Sequence, residues 1–134
     1  MEDIEIMYQE NILDHYKNPR NSGRIENASV HHHEKNPLCG DELDIFLIID
    51  KNCKVNDVKI EAHGCAISTA SASMLGEKVK GMHADEIRKL KKEDILEMLG
   101  IPISPARLKC AILSLDTFKN AVLIYERYVK NTKH

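Results

Sequence analysis

An α+β fold, with a small three-stranded antiparallel sheet, helices packed on one of its faces and a long C-terminal helix, is what this sequence predicts. Three observations carry that expectation. Two segments of period-two hydrophobic alternation are joined by a short polar connection, and a run rich in Ala and Ser follows Gly64. Near the C-terminus apolar residues recur every seven positions.

In chain order, the first segment carries Ile4, Met7, Ile12, Leu13 and Tyr16 at loosely helical spacing to about Lys17. It stops at Asn18-Pro19-Arg20-Asn21-Ser22-Gly23, where Pro and Gly punctuate the chain. Residues 27–34 read as a weak strand holding His31, His32 and His33. Leu43, Ile45, Leu47 and Ile49 then alternate with Asp44, Phe46 and Ile48, and Val58, Ile60 and Ala62 alternate with Lys59, Glu61 and His63. The connection Asp50-Lys51-Asn52-Cys53-Lys54 suits an antiparallel hairpin. From Cys65 to Lys80 the pattern is helical, and its small side chains allow close approach to the sheet. Short helical stretches follow at 85–90 and 92–99, closed by Gly100 and Pro102. The last helix starts with Ser104 as N-cap and Pro105 in the first helical position. Its stripe of Leu108, Leu115, Val122 and Val129, flanked by Ile112, Phe118 and Tyr125, reads as core packing.

A chain of 134 residues fits one domain, residues 1–134. At that size about two thirds of the unfolded surface can be buried. With 43% hydrophobic and 30% charged residues, neither a disulfide nor a metal is needed merely to fold it, so its cysteines call for another explanation. A net charge of −2, two Phe and no Trp argue against a nucleic-acid partner. No apolar run approaches ~18 residues, which argues against a membrane span. The acidic start Met1-Glu2-Asp3-Ile4-Glu5 is unlike a signal peptide, so the expected location is the cytoplasm. Thiols stay reduced there, and four cysteines point to metal or thiol chemistry.

The chemistry concentrates at element boundaries. Cys39 and Asp41 flank Gly40 at the entrance to a strand, so a soft thiolate and a hard carboxylate could face one ion. Cys65 falls where strand gives way to helix, and a helix N-terminus favours its thiolate. Cys110 lies about two turns into the last helix. Any one of these alone could be a small buried hydrophobe. Their separations do not match the paired spacing of zinc fingers, so position rather than spacing singles them out. Cys53, in the hairpin turn, reads as incidental. The three adjacent histidines read as a partly exposed strand, and His63 as a weaker candidate for supporting the site.

Four ordered motifs resemble those of the U-type iron–sulfur scaffold proteins (IscU, the NifU N-terminal domain, SufU). They are Tyr8-x-Glu-x-Ile-Leu-Asp14-His15-Tyr16-x-Asn18-Pro19-Arg20-Asn21-x-Gly23, Asn36-Pro37-x-Cys39-Gly40-Asp41, Gly64-Cys65-Ala66-Ile67-Ser68 and Lys109-Cys110. The resemblance runs from about Tyr8 to Tyr128. The resemblance implies a scaffold, not an enzyme. It would take persulfide sulfur from a cysteine desulfurase, combine it with Fe2+ and electrons from iron and electron donors into a [2Fe–2S] cluster, and pass that cluster to apo-proteins. Carried over by position, Cys39, Asp41, Cys65 and Cys110 would be the ligands, and Cys110 the first choice as persulfide acceptor, although Cys65 has the stronger local case for a thiolate. One carboxylate among thiolates weakens the hold on a soft centre, which suits release. The same set makes a tetrahedral Zn2+ site, and an exposed site with few ligands allows a cluster shared in a homodimer.

Two departures bear on the choice. The Leu-Pro-Pro-Val-Lys segment that a dedicated chaperone reads in many scaffold members is replaced by Ile103-Ser104-Pro105-Ala106-Arg107, and Lys109 stands where those members have His. Arg107-Leu108-Lys109-Cys110 resembles the SufU branch of zinc-dependent sulfurtransferases, but there is no room for that branch's insertion of about twenty residues before the third cysteine. The cluster scaffold is the leading expectation, and a zinc-dependent sulfurtransferase the alternative.

Overall fold

The computed structural model describes residues 2–37 and 40–132, with side chains over 8–37 and 40–130. The elements run α1 (Glu2–Lys17), β1 (Val30–Lys35), β2 (Glu42–Ile49), β3 (Val55–His63), α2 (Ala66–Val79), α3 (Ala84–Arg88), α4 (Lys92–Leu99) and α5 (Pro105–Thr132). The strands form an antiparallel meander in the order β1-β2-β3, with His32 opposite Ile45 and Ile45 opposite Ile60. Helices α2 and α5 cover one face, so the expected architecture is borne out.

Alternation decides which face is covered. Leu43, Ile45, Leu47 and Ile49 share their side of β2 with Val58 and Ile60 of β3, and all are buried. They pack against Leu75 and Val79 of α2 and Phe118 and Val122 of α5. Ala70, Ser71, Ala72 and Ser73 are fully buried, so small side chains do let α2 lie close to its neighbours. The buried hydroxyls find partners: Ser71 Oγ donates to Ser68 O at 3.2 Å, and Ser114 Oγ to Ser71 Oγ at 3.4 Å. Phe46, on the outer face, is buried as well. The His31 ring stacks on it at 4.2 Å and the Arg24 guanidinium lies 5.8 Å from its centroid, a cover that alternation alone does not reveal.

Several boundaries move for local reasons. β1 starts at Val30 rather than 27, because Ser29 Oγ first accepts the Ile49 N–H at 2.9 Å and residues 26–27 turn. Cys65 is the N-cap of α2 rather than its first residue. α3 starts at Ala84 and ends at Arg88, since His83 and Glu86 close a capping box across 83–86. On α1, Ile12 and His15 face inward while Leu13 and Tyr16 are exposed; among the described side chains the inward pair is spaced i, i+3 and includes a histidine.

That histidine ties α1 to α2. His15 Nδ1 lies 2.7 Å from Ser73 Oγ, which also accepts the Arg20 N–H at 2.8 Å. Burial and then the nearby Arg20 charge lower the His15 pKa from its ordinary 6.5, with Glu77 and Asp14 opposing. The sign follows directly. As pH falls through about 6.5 the unfolded chain binds a proton there that the folded protein resists, so stability present above that pH is lost until the lower folded value is passed. Urea midpoints at pH 7.5 and 5.5 should therefore differ more for the wild type than for His15→Gln. Equal differences would remove His15 from the pH dependence.

Beyond α1, residues 18–23 fold back along β3. Ile60 N–H donates to Asn21 O at 2.7 Å and Gly23 N–H to Ile60 O at 3.0 Å. Asn21 at φ 60° and Gly23 at φ 131° are residue types suited to such left-handed positions. No helix among the described residues is long and apolar enough to cross a membrane.

Candidate metal centre

The site lies where β2 begins and β3 ends, an end fixed by the pairing of Glu42 with His63. Asp41 immediately precedes β2, Cys65 follows β3 by way of Gly64, and Cys110 sits on the second turn of α5. One ligand atom from each of Asp41, Cys65 and Cys110 lies within 4.8 Å of the others. Asp41 and Cys110 are buried and Cys65 is half-buried. Cys39, the other member of the expected set, lies outside the described residues, as does Leu38.

The loop before β2 is closed by two backbone bonds, Gly40 N–H to Asn36 O at 2.7 Å and Asn36 N–H to Asp41 O at 2.8 Å. Gly40 has φ +76°, the freedom its sequence position suggested. At the other strand end, a Cβ on Gly64 would stand 2.8 Å from Asp41 Cγ, closer than side chains tolerate. Gly64 thus makes room for the carboxylate. Cys65 N–H donates to Asp41 Oδ1 at 3.3 Å, and Cys65 Sγ, as N-cap, accepts the Ser68 N–H at 3.5 Å.

Ser68, the last residue of the Gly64–Ser68 motif, has a place at the site that the sequence did not give it. Its Oγ donates to Asp41 Oδ2 and lies 3.5 Å from Cys65 Sγ and 3.3 Å from the Cys110 carbonyl oxygen. It is buried, at position N3 of α2. The signal available was its place three residues after a capping cysteine.

The remaining candidates stand apart. His31 and His33 are exposed on the outer face and flank Asp44 at 2.7 and 3.2 Å. Burial raises the Asp44 pKa, but hydrogen bonds from His31 and His33 outweigh it and hold the carboxyl below its ordinary value. His32 turns inward, 3.6 Å from Glu34. His63 is exposed and outside the Asp41 group. Cys53, at φ 62°, occupies the hairpin turn at the other end of the sheet. Arg107 and Lys109 are exposed, and Lys109 lines a cleft with Asn36, Pro37 and Asp116 beside the site. Desolvation there, then the Glu34 charge, raises the Asp116 pKa.

Two thiols and a carboxylate gathered this closely match the donors of tetrahedral Zn2+ and, with a further thiolate, of a small iron–sulfur cluster. Fold and grouping together define a class: small α+β proteins that gather thiols and a carboxylate at one end of a three-stranded sheet. The model of the family "NifU-like N terminal domain" matches residues 7–132, and the chain belongs to that family. It is 37% identical over 123 residues to the iron–sulfur cluster assembly enzyme IscU of Drosophila melanogaster, covering 90% of this chain and 79% of that one. It is 35% identical over 136 residues to the zinc-dependent sulfurtransferase SufU of Bacillus subtilis strain 168, covering 89% and 91%. Its fold matches the crystal structure of a candidate iron–sulfur cluster assembly scaffold protein for the SUF system of Fervidobacterium islandicum AW-1. That match has a TM-score of 0.74 at 31% identity, over 88% of this chain and 98% of that one.

Proposed function

We propose that this protein is a scaffold on which a [2Fe–2S] cluster is built and from which it passes to apo-proteins. It acts as one domain and as a carrier rather than an enzyme. The observation that carries this reading is the convergence of Asp41, Cys65 and Cys110 within 4.8 Å, with Cys39 two residues from Asp41 in sequence. The four side chains hold the iron. A cysteine desulfurase in the cytoplasm supplies sulfur as a persulfide. A thiolate of the scaffold, Cys110 in the first instance, attacks the outer sulfur, so a new S–S bond forms and the donor leaves as its thiolate. Oxidation of two Fe2+ gives two of the four electrons that turn two such sulfurs into sulfide, and an electron donor gives the other two.

Asp41 is the donor that makes the cluster leave. A hard carboxylate binds a thiophilic iron weakly, so its replacement changes release more than fold. Anaerobic reconstitution with iron, sulfide and a reductant should give thiolate-to-iron charge-transfer absorption. Asp41→Ala should slow transfer of the cluster to an apo-ferredoxin. Tight stoichiometric zinc with no such absorption would overturn the scaffold reading, and unchanged transfer kinetics the role of Asp41.

One observation favours a second reading, a zinc-dependent sulfurtransferase that relays persulfide without building a cluster: the similarity to the Bacillus subtilis protein together with Arg107-Leu108-Lys109-Cys110. Metal and sulfide quantification after anaerobic purification separates the two.

A further inference from the structure

We infer that Ser68 is the positioning residue for the Asp41 carboxylate, and through it sets how tightly the site holds Zn2+, which unlike a thiophilic cluster takes a carboxylate oxygen readily. The inference rests on reading Asp41, Cys65 and Cys110 as metal ligands. The Ser68 hydroxyl has one proton and three acceptors in reach: Asp41 Oδ2, Cys65 Sγ at 3.5 Å and the Cys110 carbonyl at 3.3 Å. The carboxylate oxygen is the nearest of the three and a better acceptor than sulfur, so the proton goes to it. Cys65 N–H holds the other oxygen, Oδ1, at 3.3 Å. The carboxylate is therefore gripped at both oxygens by two residues of one helix start, with Gly64 clearing the space behind it.

Two consequences follow for binding. The carboxylate is already aimed at the cysteines before metal arrives, which saves ordering entropy. Ser68 is itself fixed, because it is buried at the first turn of α2 and its own N–H is bound to Cys65 Sγ. Hydrogen-bond partners of a metal-binding carboxylate commonly control affinity by about 10–100-fold.

The test uses Zn2+ with the full chain, titrated against a chromophoric chelator. Ser68→Ala should weaken Zn2+ binding by roughly 10–100-fold, and Ser68→Thr, which keeps the hydroxyl, should recover most of that loss. In an Asp41→Ala background, Ser68→Ala should change affinity by less than about twofold, because its route to the metal is gone. The d–d spectrum of Co2+-substituted Ser68→Ala should shift towards that of Asp41→Ala, a change that general loosening of α2 would not produce. Thermal melts of the metal-free variants establish that they fold. Wild-type affinity in a folded Ser68→Ala variant, or an equal loss with and without Asp41, overturns the Ser68 inference alone. Failure of the wild type to bind Zn2+ or Co2+ overturns the underlying metal-site reading as well.

Discussion

Cys110→Ala should leave the chain folded and reduce Zn2+ affinity by more than about 100-fold, beyond what loss of a mere hydrogen-bond partner of a ligand costs. The reason lies in what Cys110 supplies. It is the contribution of α5 to the Asp41 group, and without it the remaining described donors come from the β2 entrance and the β3–α2 junction. Thiolates supply most of the affinity of such sites for Zn2+ and iron. The cost to the fold should be small, because Ala is only slightly smaller than Cys and neighbouring Ala111 and Ser114 show that α5 already packs with small residues here. Chelator competition on the folded variant gives the answer. Retained affinity would remove Cys110 from the ligand set.

Phe118→Ala should cost about 3–5 kcal/mol of stability, a large share of the roughly 5–15 kcal/mol typical of a folded protein. Phe118 is the largest fully buried side chain, and its ring end approaches Gly76 of α2, where a Cβ would sit 3.9 Å from Cζ and 3.6 Å from Val58 Cγ1. It therefore packs where α5, α2 and β3 meet, and the backbones around it cannot collapse to fill the space. The urea midpoint should fall with the slope unchanged. A loss under about 1 kcal/mol would mean that the three elements close up after all. Since the same helix carries Cys110, a coupled drop in metal affinity is expected near the midpoint.

Much of this fold is legible in sequence because it rests on local periodicity. The alternation through Leu43–Ile49 and Val58–Ala62 has one inward face, and Ser104-Pro105 starts a helix where the structure starts one. What escapes is whatever depends on a partner distant in sequence. His15 is not among the apolar positions that mark α1 in sequence, and Ser73 and the packing of α2 make it a buried group. Ser68 closes the Gly64–Ser68 motif, but nothing in that motif gives it a role different from Ser71 or Ser73; all three are buried and, of these, Ser68 meets Asp41. The meeting of Asp41, Cys65 and Cys110 is likewise tertiary. Sequence marked the three residues, while the pairing of β2 with β3 and the lie of α5 bring them together.

The segment 21–23, bonded along β3, has a consequence for recognition. A sheet usually offers two lateral borders to which a foreign peptide can add as an extra strand. Here the β3 border is interrupted at Ile60 by Asn21 and Gly23, and the β1 border is only six residues long and carries Glu34, Lys35 and three histidines. Annealing to the sheet is thus blunted on both sides. If the protein is the scaffold proposed above, its partners would have to come end-on, over the loop at Asn36–Pro37 and the starts of α2 and α5, where Cys65 and Cys110 lie.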